Sequence, residues 1–220
     1  LQLYEISTNE DLQWNTTPFV FRSFQASSNL FLLFKNFWDV SVGFETRPVS
    51  TVDFYQLGDF NKKLLYVPYF YSYIGGSSDS RKKLFWFYYA GYGFANISHA
   101  AYININQGFR YQFSQRLEAT ISGNFKFDES NIGYATYDDK QNEPIVGRRN
   151  VTEFDGQLNV KYNFSPVMNL TARFRHYNSF IHYTSFHLVD ETGNWQQSAY
   201  PYQNGYDENF NLQNVDLFYN

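Results

Sequence analysis

Residues 154–164 read FDGQLNVKYNF, and the alternation in them is unbroken. Phe154, Gly156, Leu158, Val160, Tyr162 and Phe164 are apolar or small, while Asp155, Gln157, Asn159, Lys161 and Asn163 are polar. Successive side chains of an extended chain point to opposite faces. The run is therefore a strand with one apolar and one polar face.

The pattern recurs. In 117–127, Leu117, Ala119, Ile121, Gly123, Phe125 and Phe127 alternate with Glu118, Thr120, Ser122, Asn124 and Lys126. In 101–113, Ile103, Ile105, Phe109, Tyr111 and Phe113 oppose Asn104, Asn106, Arg110 and Gln112. In 169–175, Leu170, Ala172 and Phe174 oppose Thr171, Arg173 and Arg175. Residues 40–47 alternate likewise. Hairpin and strand signals place about ten strands near 1–8, 18–36, 38–48, 66–77, 82–94, 101–113, 117–128, 151–164, 168–180 and 207–220. Segments 131–137 and 181–189 are expected to extend strands above the main sheet. The connections 36–39, 77–82, 113–116 and 165–168 are short, whereas 48–66, 128–150 and 190–206 are long and polar. Such an order is an antiparallel meander with tight turns at one end and loops at the other.

Alternation alone fits a soluble β-sandwich as well as a membrane barrel. Strand length separates them. Sandwich strands usually run about five or six residues, and several of these runs reach eleven or more. About ten residues, at roughly 3.3 Å each and tilted near 40°, cover the roughly 25 Å apolar band of an outer-membrane barrel. Aromatic residues sit beside the turns (Phe37, Trp38, Phe113, Phe127, Phe164) and crowd 83–94, as in the girdles of such barrels. The expected fold is an all-β antiparallel transmembrane β-barrel, with 1–220 as one domain, incomplete at both ends and part of a larger barrel.

Composition narrows the function classes. Aromatics are 22% of the 220 residues, which excludes a disordered chain. There is no Cys, hence no disulfide framework and no thiolate zinc site. A net charge of −4 gives no reason to expect a nucleic-acid partner. No apolar run is long enough for a transmembrane helix.

IVGRRNVTEFDGQLNVKYNFSPVMNLTARFRHYNSF (145–180) carries a resemblance. Its elements are Gly147-Arg148-Arg149-Asn150-Val151-Thr152, then Tyr162-Asn163-Phe164, then Arg173-Phe174-Arg175-His176-Tyr177. FHLVDETG (186–193), DENFNLQNVDLFYN (207–220), SSDSRKKL (77–84) and YQFSQRLEATISGNF (111–125) continue it. Over roughly 16–220 the chain resembles an outer-membrane β-barrel domain of unknown function that follows a family-9-type carbohydrate-binding module in Bacteroidetes-type Gram-negative proteins. By that resemblance, residues 1–220 are expected to leave out the module and the family's early and final strands. The resemblance implies a Gram-negative outer-membrane location. It implies contact with outer-membrane lipid and lipopolysaccharide, and with other outer-membrane or surface lipoprotein subunits. A role in glycan or nutrient handling follows as scaffold or pore. The family often carries a hydrolase label, with no catalytic motif to transfer. An outer-membrane hydrolase acting through loops or a missing module, and a soluble carbohydrate-binding sandwich, are the alternatives.

The chemistry-bearing residues are read on that frame. Arg110, Glu118, Lys126, Asp155, Lys161, Arg173 and Arg175 face the lumen by alternation; Ile121, Phe125, Leu158, Val160, Tyr162 and Phe174 face lipid. A turn pairing residue 163 with 171 sets Lys161 opposite Arg173, with Glu118 as compensating acid. Arg148 and Arg149 are candidate anion contacts, or, more plainly, anchors of a loop. His182, His187 and Asp190 have no recognised ligand spacing. Asp138 with Asp139, and Asp207 with Glu208, lack the spacing of a calcium loop. Tyr134, Tyr137, Trp195, Tyr200 and Tyr202 are candidates for stacking on sugar rings. No catalytic residue, cofactor or metal is expected: the chain has no G-x-S-x-G elbow and no phosphate-binding glycine loop.

Overall fold

The computed structural model describes residues 1–57, 62–138, 143–197 and 207–219; for Asp138, Gln196, Gln197 and 207–219 it describes the backbone alone. The described residues form antiparallel strands with no helix. In chain order these are β1 (Leu3–Thr16), β2 (Phe19–Leu33), β3 (Asp39–Arg47), β4 (Thr51–Asp53), β5 (Leu64–Tyr66), β6 (Tyr69–Ser77), β7 (Leu84–Ala95), β8 (Ala101–Gln112), β9 (Leu117–Asp138), β10 (Glu143–Ser165), β11 (Met168–Val189), β12 (Trp195–Gln197) and β13 (Asp207–Tyr219). Eleven of them make one sheet, a meander in which β12 and β13 both pair with β11, while β4 and β5 form a separate ribbon. β1 and β13 share no ladder, so the described sheet is open.

Register sorts the side chains into two faces. One cross-strand row runs Ile6, Leu30, Val42, Ile74, Ala90, Ile105, Phe125, Phe154. The adjacent row, on the other face, runs Ser7, Asn29, Gly43, Tyr73, Gly91, Asn104, Lys126, Glu153. The first row is apolar, and every large residue in it is exposed, from Ile6 at 67% to Leu30 at 36%. No second sheet packs on that face among the described residues.

The buried core lies elsewhere. β9, β10 and β11 have 22, 23 and 22 residues and rise well past their neighbours. In this upper part Leu57, Leu64, Ile132, Val146 and Val189 form one buried cluster, and Ile145, Tyr183 and Phe186 another. All the buried large apolar residues among the described ones lie in 52–64 or 132–189. The lower sheet has none.

The connection between β3 and β6, in its described parts 48–57 and 62–66, lies across the polar face. Its Tyr55 ring is 5.6 Å from the Arg22 guanidinium of β2, while Leu57 and Leu64 pack on β9, β10 and β11. Lys62 pairs with Glu143, and the Trp195 indole donates to the Leu65 carbonyl at 2.9 Å. One segment thus touches strands several ladders apart, at roughly 4.8 Å per ladder. The sheet curls around its polar face, which is concave, and the apolar face is convex.

Three expectations need correction. Residues 128–150 are not a long loop: β9 runs to Asp138 and β10 starts at Glu143. The first strand continues to Thr16 rather than ending near residue 8. The turn after β10 pairs Asn163 with Asn169, not with Thr171. The turn closes tightly, with Ser165 opposite Met168, and a one-residue register irregularity between Asn163 and Ser165 supplies the rest of the difference. Lys161 therefore faces Thr171 and Glu118, and Arg173 faces Asn159. The extensions 131–137 and 181–189 are present as parts of β9 and β11.

The tight turns meet at the lower end. Phe37 of the β2–β3 turn sits in the left-handed region at φ 62, and its ring lies 3.3 Å from the Arg81 guanidinium of the β6–β7 turn. Asp79 accepts from the Arg81 backbone N–H at 3.0 Å, from Nε at 2.8 Å and from Nη2 at 2.9 Å. Those bonds, the side-chain ones foremost, hold its carboxyl well below the ordinary 3.8, at about 2. The folded turn therefore binds fewer protons than the open one between those values. Its stabilisation is complete above pH 3.8 and is lost as pH falls through 2. Hydrogen exchange at the Arg81 amide, corrected for intrinsic rate, is expected to show that loss of protection between pH 4 and 2; unchanged protection at pH 2 would contradict it.

Candidate functional site

Strand alternation puts Tyr69, Tyr71 and Tyr73 of β6 on the concave face, together with Tyr89 of β7 and Tyr102 of β8. Glycines make room for the rings. A Cβ at Gly91, which pairs with Tyr73, would overlap the Tyr71 hydroxyl and ring, so only glycine fits beneath that ring. Tyr71 and Tyr102 have ring centroids 5.6 Å apart, and Tyr73 stacks on Tyr89 at 5.5 Å. The Tyr71 and Tyr89 hydroxyls share a 2.7 Å hydrogen bond, and Tyr73 donates to Asn29 Oδ1 at 3.2 Å.

This aromatic belt borders a cavity of about 540 Å3 that Thr51 and Tyr66 also line. Tyr69, Tyr71, Tyr89 and Tyr102 supply the sheet wall, while Tyr66 and Trp195 supply the upper wall. Three of the four charged groups on the sheet wall, Glu45, Arg47 and Asp128, have hydrogen-bond partners within the wall or beside it. Tyr69 donates to Glu45. Arg47 donates twice to Gln25 Oε1, at 3.0 and 2.9 Å, and lies 5.5 Å from the Tyr69 ring centroid. Asp128 accepts from Asn131 Nδ2 at 2.7 Å, and Asn131 accepts in turn from Arg149 Nε at 3.1 Å. Asn104 also borders the cavity, and its Oδ1 is buried without a hydrogen-bond partner. A second hollow of about 400 Å3 continues down the same face; it shares Tyr89 and Asn104 with the first, and adds Asn106, Asn124, Asp155 and Gln157.

The seven polar residues singled out from sequence share this concave face. Arg110 Nε stands 3.7 Å from Glu118, Lys126 Nζ 3.3 Å from Glu153, and Arg175 holds Asp155 through two bonds of 3.0 and 2.8 Å. Arg173 donates to Asn159 at 2.9 Å. Lys161 has Glu118 as cross-strand neighbour. Half-exposed pairs of this kind contribute about 0–1 kcal/mol each, so the backbone ladders, not the ion pairs, hold the sheet. Ile121, Phe125, Leu158, Val160, Tyr162 and Phe174 share the convex face. There Leu158 faces Ile121 on one side and Phe174 on the other. A hollow of about 690 Å3 among these rings is interrupted by Gln107 and His176.

Arg148 and Arg149 lie in the upper part. Arg148 donates to the Ser98 carbonyl and to Ser130 Oγ, tying the loop between β7 and β8 to β9 and β10. Arg149 reaches Asn131 and, at 3.2 Å, the Tyr183 hydroxyl. No group of three or more His, Asp or Glu among the described residues is placed to hold a metal ion. Asp139, Tyr200 and Tyr202 lie outside the described residues, as do the side chains of Asp138, Asp207 and Glu208. Trp195 lines the cavity, while Tyr134 and Tyr137 are exposed away from it.

A family model described as a domain of unknown function, DUF5916, matches residues 1–220 in full. The chain belongs to the DUF5916 family. No curated protein and no solved structure matches it. What a DUF5916 domain does must therefore be argued from this one's own faces and cavity. Of the tyrosines that build the cavity, only Tyr89 lies in the ring-crowded run 83–94 expected to belong to a girdle; Tyr69, Tyr71, Tyr73 and Tyr102 carry no motif. Their signal is parity: Tyr69, Tyr71 and Tyr73 at spacing two stand opposite Phe70, Ser72 and Ile74.

Proposed function

We propose that this DUF5916 domain is a wall of an outer-membrane β-barrel, with the convex face in lipid and the concave face lining a polar interior. The observation that carries the reading is the location of the core. The lower sheet buries no large apolar side chain among the described residues, yet exposes one contiguous apolar face. Soluble monomers rarely expose apolar patches beyond a few hundred Å2. This face extends across eight strands, from Ile6 to Phe154. In hydrocarbon the same face is solvated at no cost, and the charged face meets water. No helix of the described residues is long and apolar enough to cross a membrane, so the reading rests on strands. Hydrocarbon tolerates no unpaired strand edge; the free edges of β1 and β13 must then pair with each other or with further strands.

The function that follows is that of a scaffold or passage for polar solutes, with lipid and lipopolysaccharide as its surroundings. The test uses the full-length protein in a Gram-negative cell. It is expected in the outer-membrane fraction, resistant to salt and urea washes and released only by detergent. Recovery as a monodisperse species in detergent-free buffer would overturn the proposal.

A further inference from the structure

We infer that the tyrosine-lined cavity and the amide-lined hollow beneath it form a binding track for a neutral oligosaccharide of pyranose rings. Tyrosine presents a flat apolar face beside a hydroxyl. A sugar ring presents the complement: a patch of C–H groups on its face and hydroxyls at its edge. The cavity supplies several such rings, and its volume of about 540 Å3 falls within the roughly 300–1,000 Å3 of small-molecule sites.

The charge pattern selects a neutral ligand. Glu45, Arg47 and Asp128 are already hydrogen-bonded to Tyr69, Gln25 and Asn131. Glu129 stands at the border as a single acid, not the ring of carboxylates that a small cation would need. What remains for a ligand is ring faces, hydroxyls and amides. Asn104 lines both hollows and stands at their junction. Because Tyr89 and Asn104 belong to both, a linear chain of sugars can pass from the aromatic cavity to Asn106, Asn124 and Gln157 without leaving the face.

The inference holds for the folded domain in detergent, so it stands or falls separately from the membrane reading. The experiment is calorimetric titration of the detergent-solubilised full-length protein with maltohexaose, cellohexaose, mannohexaose and choline. At least one hexaose is expected to bind saturably. Tyr102→Ala and Asn104→Leu are each expected to weaken it about tenfold. Tyr102→Phe, which keeps the ring, is expected to lose less, and Ile121→Ala, on the opposite face, nothing. Circular dichroism of each variant establishes that the sheet is intact. Three results would overturn the inference: no hexaose binding to the folded protein, binding indifferent to Tyr102 and Asn104, or choline binding at this site in place of sugar.

Discussion

Ile121→Arg is expected to impair membrane assembly severely, while Ser122→Arg, one residue along the same strand, is expected to be tolerated. Ile121 is 59% exposed on the convex face, facing Leu158 on one neighbour and Phe109 on the other. An arginine near the middle of a lipid-facing strand costs about 2–4 kcal/mol. Ser122 lies opposite Gln157 and Gly108 on the concave face, where a cation meets water. The comparison is made by the assembled fraction of full-length protein in outer membranes, and by unfolding in lipid bilayers. In a soluble sheet the order would reverse or vanish, since substitutions at exposed positions usually stay within about 0.5 kcal/mol. Equal tolerance at 121 and 122 would therefore count against a lipid-facing convex surface.

Tyr183→Ala is expected to give the largest loss in the upper part of the domain, about 3–5 kcal/mol by analogy with other buried aromatic truncations. Tyr183 is 2% exposed and stacks on Phe186 with centroids 5.3 Å apart. It packs in a cluster with Ile145, and Arg149 Nη1 donates to its hydroxyl. Its ring occupies the space a Cβ at Gly147 would fill, so Gly147→Ala is expected to act in the same direction, by about 1–3 kcal/mol. The damage should be local. Amides of 143–150 and 181–189 should exchange faster, while those of 101–112 keep their protection, because the two regions share no buried cluster. Uniform loss of protection through the sheet would contradict the division between a packed upper part and a lower part without a core.

Much of this architecture is legible in the sequence wherever the period of two is unbroken. The strands around 101–113, 117–127, 154–164 and 169–175 lie where alternation puts them, and their polar and apolar sets separate by face. Legibility fails where irregular pairing interrupts the period. Register shifts at Ile145/Val146, Arg148/Arg149 and Arg149/Val151 break alternation at the start of β10, so 143–150 read as loop. The tight turn that pairs Ser165 with Met168 and the one-residue shift at Asn163/Ser165 together move the pairing by two residues and set Lys161 opposite Thr171 rather than Arg173. Residues 9–16 of β1 lost their signal because NEDLQWNT is mostly polar on both faces. The cavity was illegible for another reason. Its walls come from β3, β6, β7, β8, β9, β12 and the 48–66 segment. Only the curl of the sheet brings these together, and curl has no short-range pattern.

The central claim, that one face of this sheet meets lipid and the other water, is tested most directly on β10. None of the 220 residues is Cys, so single cysteines at Gln157, Leu158, Asn159, Val160, Lys161 and Tyr162 report without background from this domain. In outer membranes or proteoliposomes holding the full-length protein, a membrane-impermeant maleimide is predicted to label positions 157, 159 and 161. Positions 158, 160 and 162 should be protected until the protein is extracted from the membrane and unfolded in denaturant, and a lipid-dissolved probe should show the opposite alternation. Labelling of 158, 160 and 162 at the rate of their neighbours, in the intact membrane, would contradict the account.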